Sequence, residues 1–297
     1  MDAMGAMSPM GEAALFEWPL LACTIAIFGT AAFALIIAPA DDSASAAAGR
    51  RIATLARWLA LAALALSPLA FANAAADMAG VSMRAAVAYM PLVLGHTHAG
   101  RLWAWRMGAA FALAVFAWIP GAGARRLLLL FLIVAAMLLM RALGSHAIDR
   151  GMAAVALYFV HEVAAGMWLG ALAGLCLGCV PHPLPERWFY QTVPRVSRLA
   201  GWSVAALVAT GCFNAYEALG LDPHRYLYAA YGRTLLVKLA TVAVVIAIGA
   251  YNRYRLAART ADADALYPLL RNVGIECALV VGVLGWSALL ANTPPPH

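Results

Sequence analysis

The sequence predicts an all-α, polytopic membrane protein: a bundle of eight transmembrane helices with both termini on the outer side of the membrane. Of the 297 residues, 65% are hydrophobic and 11% are charged, whereas a soluble domain carries about a quarter charged residues. Apolar runs of about 20 residues, long enough to cross a hydrocarbon core, recur along nearly the whole chain. Basic residues concentrate in alternate loops, as the positive-inside rule requires.

The apolar runs leave no room for a separate soluble domain, so we expect residues 1–297 to form one transmembrane domain. The third span needs a long helix, because the clean apolar run Met107–Pro120 is too short to cross alone. That helix is expected to begin near Pro91 and to carry GHTHAGRLWAWR into the membrane or its interface. The predicted spans are 14–38, 52–73, 91–119, 125–143, 152–180, 196–216, 233–253 and 272–291.

Orientation follows from the arginines. One set of loops carries most of them and is predicted to be cytoplasmic, which places the loops with Asp77, His146 and Asp222 outside, together with an external segment 1–13. The net charge of +6 is spread over short loops, which argues against a nucleic-acid partner. The arginines assigned to the cytoplasm are Arg50, Arg51, Arg125, Arg126, Arg187, Arg195, Arg198, Arg253, Arg255, Arg259 and Arg271.

Two histidines on different spans are the strongest candidates for a metal site. His161 lies in the fifth span, where an ionisable side chain is costly unless it is paired, hydrated or bound to an ion. At about 1.5 Å per residue, His98 and His161 both lie on the order of 10 Å below the outer surface. Imidazole suits copper, zinc and haem iron. The alternative is that His161 only packs and hydrogen-bonds across the bundle.

Two further histidines lie near the outer end of the same region. His96 and His98 point to nearly opposite faces of a regular helix, so either the helix begins between them or only one of them joins the site. His146 and His161 are separated by about 22 Å along a helix. His146 is therefore expected at the mouth, above a deep site, provided that residues 149–151 break the helix.

Sulfur-containing side chains give a second, weaker signal for copper, because soft ligands select Cu(I). Cys176 and Cys179 form a C-x-x-C pair at the cytoplasmic end of the fifth span. Ordinary membrane-surface packing is the alternative for the methionines, and small apolar packing is the alternative for the cysteines. The candidate methionines, in the external N-terminus and the second external region, are Met4, Met7, Met10, Met78, Met83 and Met90.

Charged residues within the spans either pair between helices or take part in ion conduction. Glu162 follows His161, and its expected partner is Arg101 or Arg106 because all three lie at comparable depth. Trp168 is deep enough to pack beside the His161 site. Two further intramembrane charges, on the seventh and eighth spans, are Lys238 and Glu276.

Four segments resemble the copper resistance protein D (CopD/PcoD) family of bacterial inner-membrane proteins, and their order and spacing agree with that family from about residue 90 to 290. The resemblance implies eight helices, copper passage across the inner membrane and cooperation with a periplasmic CopC-type β-barrel protein, which must be a separate chain here. The segments are HTHAGRLWAWR (96–106), GSHA (144–147) with HEVAAGMWLGAL (161–172), PRVSRLAGWSVAALVATGCFNA (194–215) and YGRTLLVKLATVAVVIAIGAYNRYRL (231–256).

The resemblance also assigns roles to residues. It implies that His146 and His161 are the family's histidines, that Trp168 and Gly170 complete the motif after His161, and that Lys238 belongs to the seventh-span motif. In the seventh-span motif, Lys238 is preceded by Tyr231, Gly232 and Arg233.

These observations predict a non-enzymatic protein that moves copper, as Cu(I) or Cu(II), from the periplasm towards the cytoplasm. His98 and His161 are the expected deep ligands, and His96 and His146 the expected ligands at the mouth. Two alternatives stay open. His98 and His161 are also the residue type that ligates a b-type haem axially, and the histidines of a structural or assembly protein would only pack.

Overall fold

The computed structural model describes residues 9–38, 43–120, 123–257 and 263–293, and these residues are helical with no strand among them. Seven helical segments in the described ranges are long and apolar enough to cross a membrane. The predicted all-α, polytopic membrane fold is therefore confirmed. The seven segments are Ala14–Ile37, Ser43–Ala79, Ala124–Leu143, Met152–Cys179, Glu186–Leu219, Ala230–Leu256 and Ala265–Ala291.

The helices follow one another with short connections. Two short π-helical segments, Phe33–Ile37 and Asn252–Leu256, continue α1 and α9, and a 3₁₀ turn, His146–Arg150, precedes α6. The α-helices are α1 (Pro9–Ala32), α2 (Ser43–Ala79), α3 (Met83–His96), α4 (His98–Trp118), α5 (Ala124–Leu143), α6 (Met152–Cys179), α7 (Glu186–Leu219), α8 (Pro223–Tyr228), α9 (Ala230–Tyr251) and α10 (Ala263–Ala291).

The third predicted span is not one helix from Pro91 onwards. Thr97 is extended (φ −112°, ψ 152°) and separates α3 from α4. Its side-chain oxygen accepts from Gly100 N at 2.8 Å and donates to Val93 O at 2.8 Å, so one threonine caps both helix ends. The prediction of one continuous helix used only the length needed to cross the membrane, and it did not take this polar cap into account.

Helix α4 runs antiparallel to α2. Ring contacts join Trp58 to Trp118 (centroids 5.7 Å apart) and Phe71 to Trp103 (5.7 Å), so the end of α4 lies beside the early part of α2. Helix α4 is thus placed to complete the predicted eight crossings. The count of eight and the outer location of both termini stay predictions.

Helices α2 and α7 are longer than the corresponding predicted spans, 52–73 and 196–216. Pro68 lies inside α2, as the predicted span already required, whereas Pro194 lies inside α7 although the sixth span had been expected to begin only at residue 196. Membrane helices tolerate proline, since neighbouring helices and local adjustments satisfy the freed backbone groups. Hydropathy also misses the polar first turns of α7, which begins at Glu186.

Helix α6 packs against both α1 and α7 and is the centre of the bundle. A glycine recurs every fourth residue along it, which places all four on one face. A Cβ atom on Gly170 would lie 2.0 Å from the backbone carbon of Gly29 in α1. Small residues at such spacing let membrane helices approach closely. The four glycines are Gly166, Gly170, Gly174 and Gly178.

The break predicted between His146 and α6 is present. Residues His146–Arg150 form a 3₁₀ turn, and Gly151 follows with φ 99°, a left-handed conformation that favours glycine. The chain therefore reaches α6 through a sharp turn, and His146 lies outside the helix that carries His161.

Candidate functional site

His161 is held in a defined orientation. It is half-buried on α6, and its Nδ1 lies 2.8 Å from Thr210 Oγ1 of α7. The Thr210 hydroxyl donates its proton to Ala206 O at 2.7 Å. Because a hydroxyl has one proton to donate, Thr210 accepts from the ring, which places the imidazole proton on Nδ1. The lone pair of Nε2 is then available, and this is the tautomer that binds a metal through Nε2.

Three helices, α6, α7 and α9, contribute the residues around His161. Helix α7 packs on α6, and α9 packs on α10. Gly211 of α7 lies beside the ring, since a Cβ atom there would be 3.6 Å from His161 Cε1. Lys238 of α9 lies within electrostatic range of His161. The name "α6 groove" is used below for this space, bounded by His161, Gly211 and Lys238.

A cavity lies between α6, α7, α9 and α10, farther along α6 than His161. Its volume is about 200 Å³ and its walls are mostly apolar. Trp168 lines it on α6, two turns or about 10 Å from His161 on the same helix face. The tryptophan that the sequence placed near His161 therefore forms part of the wall below it.

A polar cluster borders the cavity. Glu276 of α10 lines it, is only 3% exposed and accepts a hydrogen bond from Asn252 Nδ2. Asn272 Nδ2 donates in turn to Asn252 Oδ1 at 2.9 Å. Asn252 begins the π-helical segment after α9, and π-helical turns frequently lie at functional sites. The cluster places one carboxyl group in the wall of an otherwise mostly apolar cavity.

Glu162 points to the other side of α6, and its predicted pairing with Arg101 or Arg106 is wrong. Its partner is Arg141 of α5, whose Nη1 donates to Glu162 Oε1. Arg141 Nη2 also lies 3.0 Å from Oε1 of Glu17 in α1. Arg141 lies near the end of the predicted span 125–143, and the sequence interpretation named no partner for it. In the fold the last turn of α5 is buried, so Arg141 is only 9% exposed.

Two more residues, Tyr158 and Asn292, complete this network, which the sequence interpretation missed apart from Glu162. Arg141 Nη1 also donates to the Tyr158 hydroxyl at 2.7 Å, and Asn292 Nδ2 donates to Glu17 Oε2 at 2.7 Å. We call Glu17, Arg141, Tyr158, Glu162 and Asn292 the buried ionic network. Glu17 lies inside the first apolar run, where a carboxylate is costly unless it is paired. This residue was the feature of the sequence that could have indicated the network.

The two arginines of the third predicted span have different environments. Arg106 stacks on Trp103, with its guanidinium carbon 3.9 Å from the ring centroid, and lies within electrostatic range of Glu17 and Glu162. It therefore adds positive charge beside the buried ionic network. Arg101 is exposed on α4.

The other predicted histidines are exposed. His96 ends α3 and His98 begins α4, so the helix begins between them, which was one of the two alternatives. Helix α4 packs on α2, α3 and α5, whereas His161 faces α7. The His98–His161 site and haem ligation by this pair both stay predictions. His146 Nδ1 lies 4.0 Å from Asp149 Oδ2 at the surface.

The sulfur candidates are spread over the fold. Met4 and Met7 lie outside the described residues, and Met10 lies in the first turn of α1, where side chains are not described. Within the described ranges, no group of three or more His, Cys, Asp or Glu side chains is arranged to hold a metal ion. Met78 is exposed, Met83 is half-buried, and Met90 packs against a small cluster around Phe71.

Comparison with known proteins identifies the family. Residues 13–155 match the family model "Copper resistance protein D-like, N-terminal domain", and residues 190–290 match "Copper resistance protein D". The chain belongs to the copper resistance protein D family. The inner membrane protein YebZ of Escherichia coli (strain K12) is 27% identical over 207 residues, which is 67% of this chain and 70% of that protein. No solved structure matches the chain.

The predicted family and the multi-pass location in the inner membrane are thereby confirmed. The match to the N-terminal family model begins at residue 13, whereas the motifs on which the resemblance rests begin at residue 96. Residues 156–189 lie between the two matched segments. They contain His161, Trp168 and the C-x-x-C pair, so the roles of these residues depend on the geometry of this chain.

Proposed function

We propose that this copper resistance family protein is a carrier, not an enzyme, and that it moves copper from the periplasm towards the cytoplasm through the α6 groove. The observation that carries the proposal is the hydrogen bond from His161 Nδ1 to Thr210 Oγ1 at 2.8 Å. It fixes the tautomer and the ring angle, as an outer-shell partner does for a metal-ligating histidine.

The surroundings of His161 support passage of an ion more than storage. The Lys238 ammonium group repels a cation bound at Nε2, which weakens binding and favours release. The cavity farther along α6, which Glu276 lines, is the proposed route away from the outer surface. His146, exposed beside Asp149, is the proposed ligand that receives copper from a separate periplasmic protein of the CopC type.

The test is copper accumulation in cells that express the His161→Ala variant. We expect copper-dependent accumulation, measured by mass spectrometry of washed cells, to fall to the level of cells without the protein. The matched control is His224→Ala, because His224 is an exposed histidine that stacks on Tyr228 at the surface (centroids 4.5 Å apart). Membrane levels of both variants are measured by immunoblot.

Accumulation that is unchanged in His161→Ala at normal membrane levels would contradict the proposal. A fall of the same size in His224→Ala would show that the assay reports a general effect of losing a histidine. The direction of transport is tested in inverted membrane vesicles, where the proposal expects copper to leave the vesicle lumen.

A further inference from the structure

Two cysteines on different helices meet beside the cavity. The thiols of Cys176 in α6 and Cys277 in α10 share a hydrogen bond, and both side chains pack, half-buried, against the main hydrophobic core. Both are free thiols. Their chain neighbours Leu175 and Glu276 line the cavity between α6, α7, α9 and α10. The thiol pair therefore lies next to the wall of this cavity.

We propose that Cys176 and Cys277 form a two-coordinate Cu(I) site between α6 and α10. Thiolate sulfur is a soft ligand that selects Cu(I) over the hard cations of the cell, and an apolar shell restricts access of water. Binding converts one Cu(I) ion and two thiols into a bis-thiolate complex and releases two protons. No change of copper oxidation state is involved.

The sequence had paired Cys176 with Cys179, but the fold gives each a different partner. Cys179 Sγ donates to Leu175 O of its own helix at 3.6 Å. Cys277, from α10, provides the thiol that faces Cys176, and no spacing motif links residues so far apart in the chain. Cys179 lies within electrostatic range of Cys176 and of Arg51, so it is the nearest competing ligand.

Charged groups of both signs lie near the pair. Arg51 Nη1 donates to Leu177 O at 2.8 Å and to Gly178 O at 3.1 Å, and Arg51 lies within electrostatic range of Cys179. Glu276 lies within electrostatic range of both Cys176 and Cys277. A bis-thiolate with one Cu(I) carries one net negative charge, so a protonated, neutral Glu276 favours binding, because a second buried negative charge beside the site is costly. The role of this site as a step in copper transport rests on the proposed function. The ability of the two thiols to bind Cu(I) does not.

The experiment titrates Cu(I) into the purified, reduced full-length protein in detergent against a chromophoric Cu(I) chelator. We expect Cys176→Ser and Cys277→Ser each to weaken this Cu(I) binding by more than the roughly 10- to 100-fold that loss of a supporting group costs. The double variant should be no weaker than either single one. Cys212→Ser, at an exposed thiol of α7, is the control. Alkylation with and without Cu(I), mapped by peptide mass spectrometry, should show protection of Cys176 and Cys277.

Two results would overturn the site. One is unchanged Cu(I) affinity in Cys277→Ser, and the other is loss of protection in Cys179→Ser equal to that in Cys176→Ser, which would return the site to the C-x-x-C pair. The His161→Ala variant separates this proposal from the proposed function. Intact Cu(I) binding at the thiols with normal cellular accumulation in His161→Ala would remove the proposed route and keep the site.

Discussion

The two neighbours His161 and Glu162 lie on different faces of α6, and those faces are built differently. The face with Glu162 pairs with Arg141 of α5 and continues through Gly166, Gly170 and Gly174, which pack closely on α1 and its π-helical continuation. The face with His161 continues through Trp168 and borders the α6 groove and its cavity. We call them the packed face and the groove face. Adjacent side chains in one helix differ by about 100° in direction, which is enough to place one in close packing and the other beside the proposed copper route.

The difference shows how one buried ionisable group is made structural and another functional. Glu162 shares a guanidinium with Glu17, and that arrangement ties α1, α5 and α6 together. His161 instead uses one ring nitrogen for Thr210, and its second nitrogen keeps its lone pair. A group paired with an opposite charge contributes to the fold, as Glu162 does through Oε1, although its Oε2 has no hydrogen-bond partner. A ring nitrogen that keeps its lone pair, such as Nε2 of His161, can bind a ligand.

The largest effect on stability is expected from Arg141→Leu on the packed face. The substitution leaves Glu17 and Glu162 buried without their cation, and loss of one partner from a buried ion pair costs about 3–5 kcal/mol. The free energy of unfolding in bicelles, measured by steric trapping, should fall by that amount. Arg84→Leu is the control, because Arg84 is exposed at the start of α3.

A loss below about 1 kcal/mol, the range of exposed ion pairs, would contradict a structural role for the buried ionic network. The same variant sharpens the contrast between the faces. Copper binding by the fraction of Arg141→Leu that remains folded should stay normal, since Arg141 makes its hydrogen bonds to Glu17, Tyr158 and Glu162 and not to His161.

A pair of glycine substitutions compares the two faces directly. Gly170→Ala places a methyl group 2.0 Å from the Gly29 backbone, whereas Gly211→Ala places one 3.6 Å from His161 Cε1, an ordinary contact distance. Overpacking typically costs about 1–3 kcal/mol, occasionally more. We therefore expect Gly170→Ala to lower the free energy of unfolding by at least this amount and Gly211→Ala to leave it nearly unchanged. Equal losses in the two variants would mean that the faces do not differ in packing.

The sequence predicted the membrane class and most helices, because hydropathy depends on composition over about 20 residues. The prediction from sequence was wrong where a single side chain determines where a helix begins or ends. Thr97 ends α3 with its own hydrogen bonds, and Pro194 stays inside α7 because the bundle satisfies the backbone around it. Neither outcome is visible in an average over a window.

The candidate site was predictable in part for the same reason. His161 stood out as an ionisable residue in an apolar run, but its partner Thr210 is an ordinary residue of another helix. The pairing of Cys176 with Cys277, and of Glu162 with Arg141 and Glu17, requires knowing which helices are neighbours. Distance along one helix can be calculated from the sequence, whereas contact between helices depends on the fold.

The smallest change to the protein itself is expected from Thr210→Val on the groove face. Valine has nearly the shape of threonine but cannot accept from His161 Nδ1, so the ring loses the contact that fixes its tautomer. Loss of such an outer-shell partner costs about 10- to 100-fold in metal affinity. The copper concentration for half-maximal accumulation should rise by this factor, and Thr210→Ser should restore it.

The control for Thr210→Val is Thr241→Val. Thr241 is an exposed threonine of α9 whose hydroxyl donates to Val237 O at 2.9 Å, just as Thr210 donates within α7, so both variants lose the same intrahelical bond. Only Thr210 also accepts from a histidine. If both variants shift the copper concentration equally, the effect comes from the helix and not from the orientation of His161. A shift confined to Thr210→Val assigns to the groove face a role in binding that the packed face does not share.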